Sequence, residues 1–364
     1  MPDNNALIAA ATPVFFAMIA LEVLLARRRQ ADVYHLADSL TSVGCGIWTV
    51  TLEVFIKAGL LAAYAWLAQH AALWHFEARD WRTWLLFFVV LDFLYYWAHR
   101  WSHEINLLWG GHAPHHQSAR FNFTTALRQG VLQDALHMPV LLPLAVLGCP
   151  PGVFITLLTL SKFYQFWIHT ELIRTVPLVE GVLNTPSAHR VHHAVNDQYL
   201  DKNYGGTLML WDRLFGTWRA ETEACVYGVR KGASGWSAVR AQTVWLAGLG
   251  QDALAAKRWR DKLQIWWRRT GWRPADVAAR TPDKAFDLDA ARIAAPARGG
   301  WWSAAAVALC IVAAALNHLL LSRLSTWQTL DKIALAAGVT AALLAMAWAL
   351  EPVHAVTTAA HADA

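Results

Sequence analysis

Long apolar stretches separated by short polar ones run through most of the 364-residue chain. A bilayer crossing takes about 20 apolar residues. Ala6–Ala26 meets that length, interrupted only by Thr12, Pro13 and Glu22, and Arg27, Arg28 and Arg29 follow at once. A cleavable leader carries its positive charge ahead of the apolar core. The order here is reversed, so the pattern predicts a retained helix with its arginines on the cytoplasmic side. Leu40–Ala68 is a second segment; Glu53 and Lys57 lie one helical turn apart in it, placed either to pair within a span or to mark a tilt or break. Trp84–Ala98 is the third. Val131–Leu147 and Val153–Ile168 flank the turn sequence GCPPG and read as a hairpin that dips into the bilayer and returns. Residues 169–300 contain no convincing span, and Trp301–Leu321 with Ile333–Leu350 predicts a closing hairpin.

Composition strengthens the membrane reading. Hydrophobic residues make up 56% of the chain and charged residues 16%, against about 25% charged in soluble domains. The 21 tryptophans suit a chain with extensive membrane–water boundaries. The net charge of +5 is modest, and the basic residues sit mostly beside apolar runs, which favours membrane orientation and anionic headgroups over nucleic acid. Cys45, Cys149, Cys225 and Cys310 are scattered, without the pairing of a zinc ribbon or a disulfide framework. In Lys257–Arg273, KRWRDKLQIWWRRTGWR, mixed Trp and Arg predict a helix lying flat in the interface.

The third apolar segment runs straight into histidines. Eight of the sixteen fall into three groups: His99 and His103; His112, His115 and His116; His189, His192 and His193. Helical spacings of three and four residues put side chains on one face, so the first group offers two imidazoles to one point and each of the others offers three. Zinc typically takes four ligands, so eight converging imidazoles predict two metal ions. Imidazole suits zinc, copper, iron or nickel rather than magnesium or calcium. His169, alone in QFWIHTELI at the exit of the membrane hairpin, is a further candidate ligand or an outer hydrogen-bond donor. Counting turns from Arg27–Arg29 brings every group and residues 170–300 to the cytoplasmic face.

The spacing HX3H, HX2HH, HX2HH resembles the fatty acid hydroxylase/sterol desaturase superfamily of membrane di-iron enzymes, with particular likeness to its alkylglycerol monooxygenase branch. The stretches that carry it are HRWSHEINLLWGGHAPHHQS, FNFTTALRQG, YQFWIHTELI, NTPSAHRVHHAVNDQYLDKNYGGTLMLWDRLFGTW and VYGV, over roughly residues 85–230. Where the family often has an additional histidine this chain has Ala188, outside the HX2HH spacing. The resemblance implies His99, His103, His112, His115, His116, His189, His192 and His193 as metal ligands, with His169 as a ninth candidate. It implies a role for Glu104 in orienting a ligand or meeting a reductant, with a plain helix-surface carboxylate as the alternative. Residues 201–218 read as scaffold, with Gly205 and Gly206 permitting a tight turn.

The resulting expectation is an all-α integral membrane protein, a multi-span helical bundle with a histidine-rich di-metal site facing the cytoplasm of a bacterial inner membrane. Residues 1–82 form N-terminal transmembrane helices, 83–218 a fatty acid hydroxylase-type catalytic domain, 219–300 a cytoplasmic or interfacial region, and 301–364 a C-terminal hairpin and tail. The expected reaction is O2-dependent hydroxylation of a bilayer lipid by two irons, for which zinc can substitute in isolated protein. The resemblance extends this to alkylglycerol ether cleavage with an external reductant, tetrahydrobiopterin. The alternative within the class is a sterol or fatty acyl hydroxylase or desaturase. A zinc hydrolase would want an HExxH motif, which is absent; a metal transporter would want ionisable groups within several spans rather than gathered at one face.

Overall fold

The computed structural model describes residues 4–233, 235–291, 297–324 and 326–352, with the backbone alone for residues 4–12. The remainder of the expected C-terminal tail, with His354 and His361, lies outside the described residues. Among the described residues the chain forms helices, turns and a few isolated β-bridges, with no strand. The helices are α1 (Asn4–Arg29), α2 (Leu36–His70), α3 (Trp81–Glu104), α4 (Asn106–His116), α5 (Phe123–Ala126), α6 (Gln133–Leu141), α7 (Pro143–Val146) and α8 (Pro151–Trp167). They continue with α9 (Pro186–His193), α10 (Leu210–Leu214), α11 (Ala238–Ala255), α12 (Trp259–Gln264), α13 (Ala275–Arg280), α14 (Leu288–Ala291), α15 (Trp301–Ser322) and α16 (Thr329–Leu350).

Three of these, α2, α15 and α16, are long and apolar enough to cross a membrane. α15 presents Ala306, Cys310 and Ala313 to Val339, Leu343 and Met346 of α16. Such small residues let helix backbones approach closely where lipid supplies no hydrophobic drive. The second core joins Tyr64 of α2, Phe87 and Leu91 of α3, Leu144 of α7, and Val153 and Phe154 of α8. Glu53 and Lys57 pair at 2.6 Å within an unbroken α2, so the span absorbs them by neutralisation rather than by a break.

Two expected elements differ from the reading of the pattern. The first limb of the central hairpin is divided into α6 and α7, because Pro139 lies inside α6 and Pro143 opens α7. The second limb, α8, has 17 residues, about 25 Å of helix. Gly148, at φ +92, turns the chain between them, and a Cβ there would lie 1.9 Å from the Trp74 carbonyl oxygen. The helix expected over Lys257–Arg273 ends at Gln264. Beyond it, backbone carbonyls that would continue a helical ladder are taken by the turn between α3 and α4: Trp266 O accepts from Leu107 N at 2.9 Å and Arg268 O from Asn106 N at 3.0 Å. Ile265 is fully buried against Leu249 and Ala253 of α11.

Candidate metal centre

Local sequence places each histidine segment. Asp80 caps α3, accepting from Arg82 N, and the helix runs without interruption to its last two turns, which carry His99 and His103. Extended backbone at Ile105 (φ −123, ψ 125) breaks the chain before α4 restarts with His112, His115 and His116. Thr185 caps α9 by accepting from Ala188 N, and Pro186 occupies its first turn, where a missing N–H costs nothing. The eight residues that follow carry His189, His192 and His193 inward. His169 lies just past α8, after its C-cap residue Ile168.

These nine imidazoles converge into two groups. His99, His103, His112, His116 and His192 form one; His115, His169, His189 and His193 form the other; within each, the candidate ligand atoms all lie within 4.8 Å of one another. Each HX2HH box is therefore divided between the groups instead of offering three nitrogens to one point. The reason is helical pitch. At about 100° per residue, positions i, i+3 and i+4 fan over roughly 100°, wide enough to face two centres. On α4 the i, i+4 pair His112 and His116 goes one way and His115 the other; on α9, His189 and His193 go one way and His192 the other. His116 and His193 stack between the groups with ring centroids 4.3 Å apart.

Nitrogen-to-nitrogen distances show what the arrangement suits. His112 Nε2 lies 3.0 Å from the Nε2 atoms of both His99 and His116. In the second group His169 Nε2 is 3.0 Å from His189 Nε2 and 3.2 Å from His115 Nε2, and His193 Nε2 is 3.2 Å from His189 Nε2. Imidazoles about 2.0–2.1 Å from one metal ion leave their nitrogens at about these separations. The buried Nε2 atoms of His103 and His192 have no hydrogen-bond partner, an arrangement costly without a further ligand.

Five of the outer nitrogens are held, whereas Nδ1 of His189 has no hydrogen-bond partner. Nδ1 of His99 meets Tyr204 O at 2.7 Å, that of His115 meets Arg128 O at 3.0 Å, that of His169 meets Gln165 O at 2.7 Å, and that of His192 meets Lys202 O at 3.1 Å. His112 Nδ1 is 2.8 Å from Gln133 Oε1. A carbonyl can only accept, so each places the proton on Nδ1 and leaves the Nε2 lone pair facing inward, the usual orienting device around a metal-binding histidine. Burial, followed by the charge of neighbouring imidazoles, holds His112, His116, His189 and His193 well below the ordinary histidine range. Burial lowers His192 to about 4. The rings are neutral, as metal ligands must be.

The surrounding scaffold contains residues that motif spacing does not reveal. Arg190, on α9, donates to the carbonyls of Thr170 and Ile173 at 2.9 and 2.6 Å and pairs with Glu221 at 2.7 Å, tying the third box to the segment after His169. Asp92 accepts from Thr207 N, Leu208 N and Trp211 Nε1, while Asp212 accepts from Tyr204 N, Gly205 N and Thr217 Oγ1. Together they shape the loop whose Tyr204 carbonyl holds His99. Asn203, at φ +58, donates to Ala188 O and Arg219 O. Glu22 of α1 accepts from Phe123 N at 2.8 Å and from Thr170 Oγ1, next to His169. Glu22, Asp92 and Gln133 share one legible feature: each is a polar residue inside or at the start of an apolar run. Glu104 stands outside both groups and pairs with Arg100 at 3.0 Å.

Residues 84–217 match the family model for fatty acid hydroxylases. Over 269 residues the chain is 37% identical to an alkylglycerol monooxygenase of Danio rerio, covering 72% of this chain and 59% of that one. Over 265 residues it is 37% identical to the Homo sapiens alkylglycerol monooxygenase, covering 72% and 59%. An ornithine lipid hydroxylase of Rhizobium tropici is 31% identical over 195 residues, covering 51% of this chain and 56% of that one. The chain thus spans about three fifths of the length of the alkylglycerol monooxygenases it matches. No solved structure matches it significantly. The region carrying the histidine boxes thus matches the fatty acid hydroxylase family, and the chain is a homologue of alkylglycerol monooxygenases.

Proposed function

We propose that this chain is a membrane-bound di-iron oxygenase that inserts one atom of O2 into a lipid C–H bond, with the carbon beside the ether oxygen of an alkylglycerol as its target. The observation that carries this reading is the pair of imidazole groups, five and four, whose candidate ligand atoms lie within 4.8 Å of one another in each group and whose closest Nε2 pairs are 3.0–3.2 Å apart. The eight box histidines and His169 are the proposed ligands. Two irons held there would supply the redox chemistry that O2 activation and C–H oxidation require and that side chains lack.

The chain's own part is geometric and electrostatic. Carbonyl acceptors fix the ring tautomers, burial keeps the imidazoles neutral, and the protein around them excludes water. In balance, one oxygen atom enters the C–H bond and the other leaves as water, with two electrons and two protons from an external reductant, for which the likeness suggests tetrahydrobiopterin. The hydroxylated ether carbon is a hemiacetal, which breaks down to a fatty aldehyde and a glycerol derivative. Placed at the ends of membrane helices, the site lets a lipid react without leaving the bilayer. Arg27–Arg29 favour a cytoplasmic face for it, within reach of a soluble reductant.

Purified protein loaded anaerobically with ferrous iron should hold two ions per chain and convert a 1-O-alkylglycerol to aldehyde with O2 and the pterin. One stoichiometric metal at saturation would overturn the two-ion reading. Oxidation of sterol or acyl chains while alkylglycerol remains untouched would move the substrate assignment to those lipids.

A further inference from the structure

The segment after α11 combines two properties that the oxygenase reading does not use. Trp259, Leu263 and Trp267 recur every four residues and are 77%, 66% and 67% exposed. Lys257, Arg258, Arg260, Arg268 and Arg269 are exposed around them, and Asp261 is the one acid between residues 257 and 269. Large exposed apolar side chains flanked by cations match a surface that seats in the headgroup layer of an anionic bilayer. The same segment is bound to the turn joining the first two histidine boxes. Asn106 donates through Nδ2 to Ile265 O at 2.8 Å and Trp272 O at 3.1 Å, and its Oδ1 accepts from Gly271 N at 2.9 Å. Asn106 N and Leu107 N donate to Arg268 O and Trp266 O, and Thr270 N donates to Glu104 O at 3.2 Å. Asn106 is fully buried.

We propose that residues 257–269 form a seat for anionic phospholipid, clamped through Asn106 to the α3–α4 turn, so that contact with the membrane surface steadies the junction between His103 and His112. The occupant is the lipid surface because the apolar side chains stand between the cations, where they enter the acyl boundary while the cations meet phosphates. The bilayer is also continuous with the environment that α2, α15 and α16 require. An acidic partner protein would be drawn by the cations but would leave the exposed tryptophans without a stated role. The seat stands on these contacts alone and does not depend on iron or on a particular substrate.

The test uses the full chain in lipid nanodiscs of phosphatidylcholine, with or without phosphatidylglycerol. Cys45, Cys149 and Cys310 are buried and Cys225 is partly buried, so Leu263→Cys in a Cys225→Ser background gives one accessible site for a nitroxide. The label should be reached preferentially by oxygen dissolved in lipid, whereas a label at the exposed Glu223→Cys should be reached by a water-soluble nickel chelate. Phosphatidylglycerol should slow hydrogen exchange at Asn106 and Leu107 severalfold, and replacing Arg258, Arg260, Arg268 and Arg269 together with Gln should abolish that slowing. Water exposure of the Leu263 label equal to that at Glu223 in both discs would overturn the seat. So would protection of Leu263 that appears only on adding an acidic soluble protein. Lipid contact without any change in exchange at Asn106 and Leu107 would overturn the clamp. None of these readouts requires turnover, so failure here is separable from failure of the oxygenase reading.

Discussion

At the scale of single residues, the arrangement distinguishes three kinds of histidine environment. His192 has its Nδ1 held by Lys202 O and its buried Nε2 without a partner; His192→Ala should remove metal from the five-membered group and abolish lipid oxidation. Gln133→Leu keeps the volume but removes the acceptor from His112 Nδ1, and loss of an orienting partner of this kind costs roughly 10–100-fold in metal affinity or activity. His318→Ala, on an exposed stretch of α15, should match the parent. Metal content and turnover at equal membrane levels provide the comparison, and equal rates for His192→Ala and His318→Ala would remove the boxes from the catalytic centre. Asp212 makes a different prediction. Burial raises its carboxyl to about 6 despite its donors, against about 3.9 in an unfolded chain. Between those values the folded state holds the extra proton, so this group's contribution to stability declines as pH rises from about 4 to about 6. Asp212→Asn carries no titrating proton there. Its stability relative to the parent should therefore climb across that window, read as a difference in unfolding midpoints in detergent; a flat difference would show that Asp212 titrates alike in both states.

At the scale of helices and turns, the two boxes of three are positioned by devices whose loss is measurable. The α9 cap at Thr185 accepts from Ala188 N at 3.2 Å, and Thr185→Ala should cost about 1 kcal/mol, seen as a lower unfolding midpoint with reduced metal retention. Gly130 sits against α4, where an added Cβ would lie 1.7 Å from Gly111 O. Because the obstacle is backbone and not a flexible side chain, Gly130→Ala must displace the helix that carries His112, His115 and His116. Forced overpacking costs about 1–3 kcal/mol, and an unfolding midpoint and metal content equal to the parent's would show that α4 does not rest on this contact. The same scale marks the limit of what was legible in the sequence. Histidine spacing is local, so the i, i+3 and i+4 positions marked which residues could be ligands, although the expectation that each box of three meets at one point did not hold. The division into five and four could not be read there, because it depends on where α3, α8 and α9 deliver rings from other parts of the chain. Pro139 and Pro143 were visible as helix breakers inside an apolar run, yet apolarity alone suggested one continuous limb. The end of α12 was hidden for another reason: the groups that capture its carbonyls belong to Asn106 and Leu107, roughly 160 residues earlier.

At the scale of the whole molecule, the parts of the chain without spans gather at one end of the crossing helices. Near the start of α2, Thr41 Oγ1 donates to Trp236 O at 3.1 Å, and Cys45 lies against Ala238 of α11. At the far end of α16, Glu351 pairs with Arg240 of α11 at 2.5 Å. Helix α11 therefore bridges the beginning of one span and the end of another, which places the start of α2 and the end of α16 at the same end of the crossing helices. At that end Arg120 pairs with Asp32 at 2.7 Å, close in sequence to Arg27–Arg29. Positive residues beside a span favour the cytoplasmic side, so the histidine centre, α11 and the segment to Arg280 are expected there together. Lys284 is exposed beyond that segment and offers a labelling position in the Cys225→Ser background. In intact bacterial cells Lys284→Cys should resist a membrane-impermeant maleimide and react after the inner membrane is opened. Ready labelling in intact cells whose outer membrane alone has been permeabilised would reverse the orientation, placing the proposed oxygenase centre and its reductant on the opposite side of the bilayer.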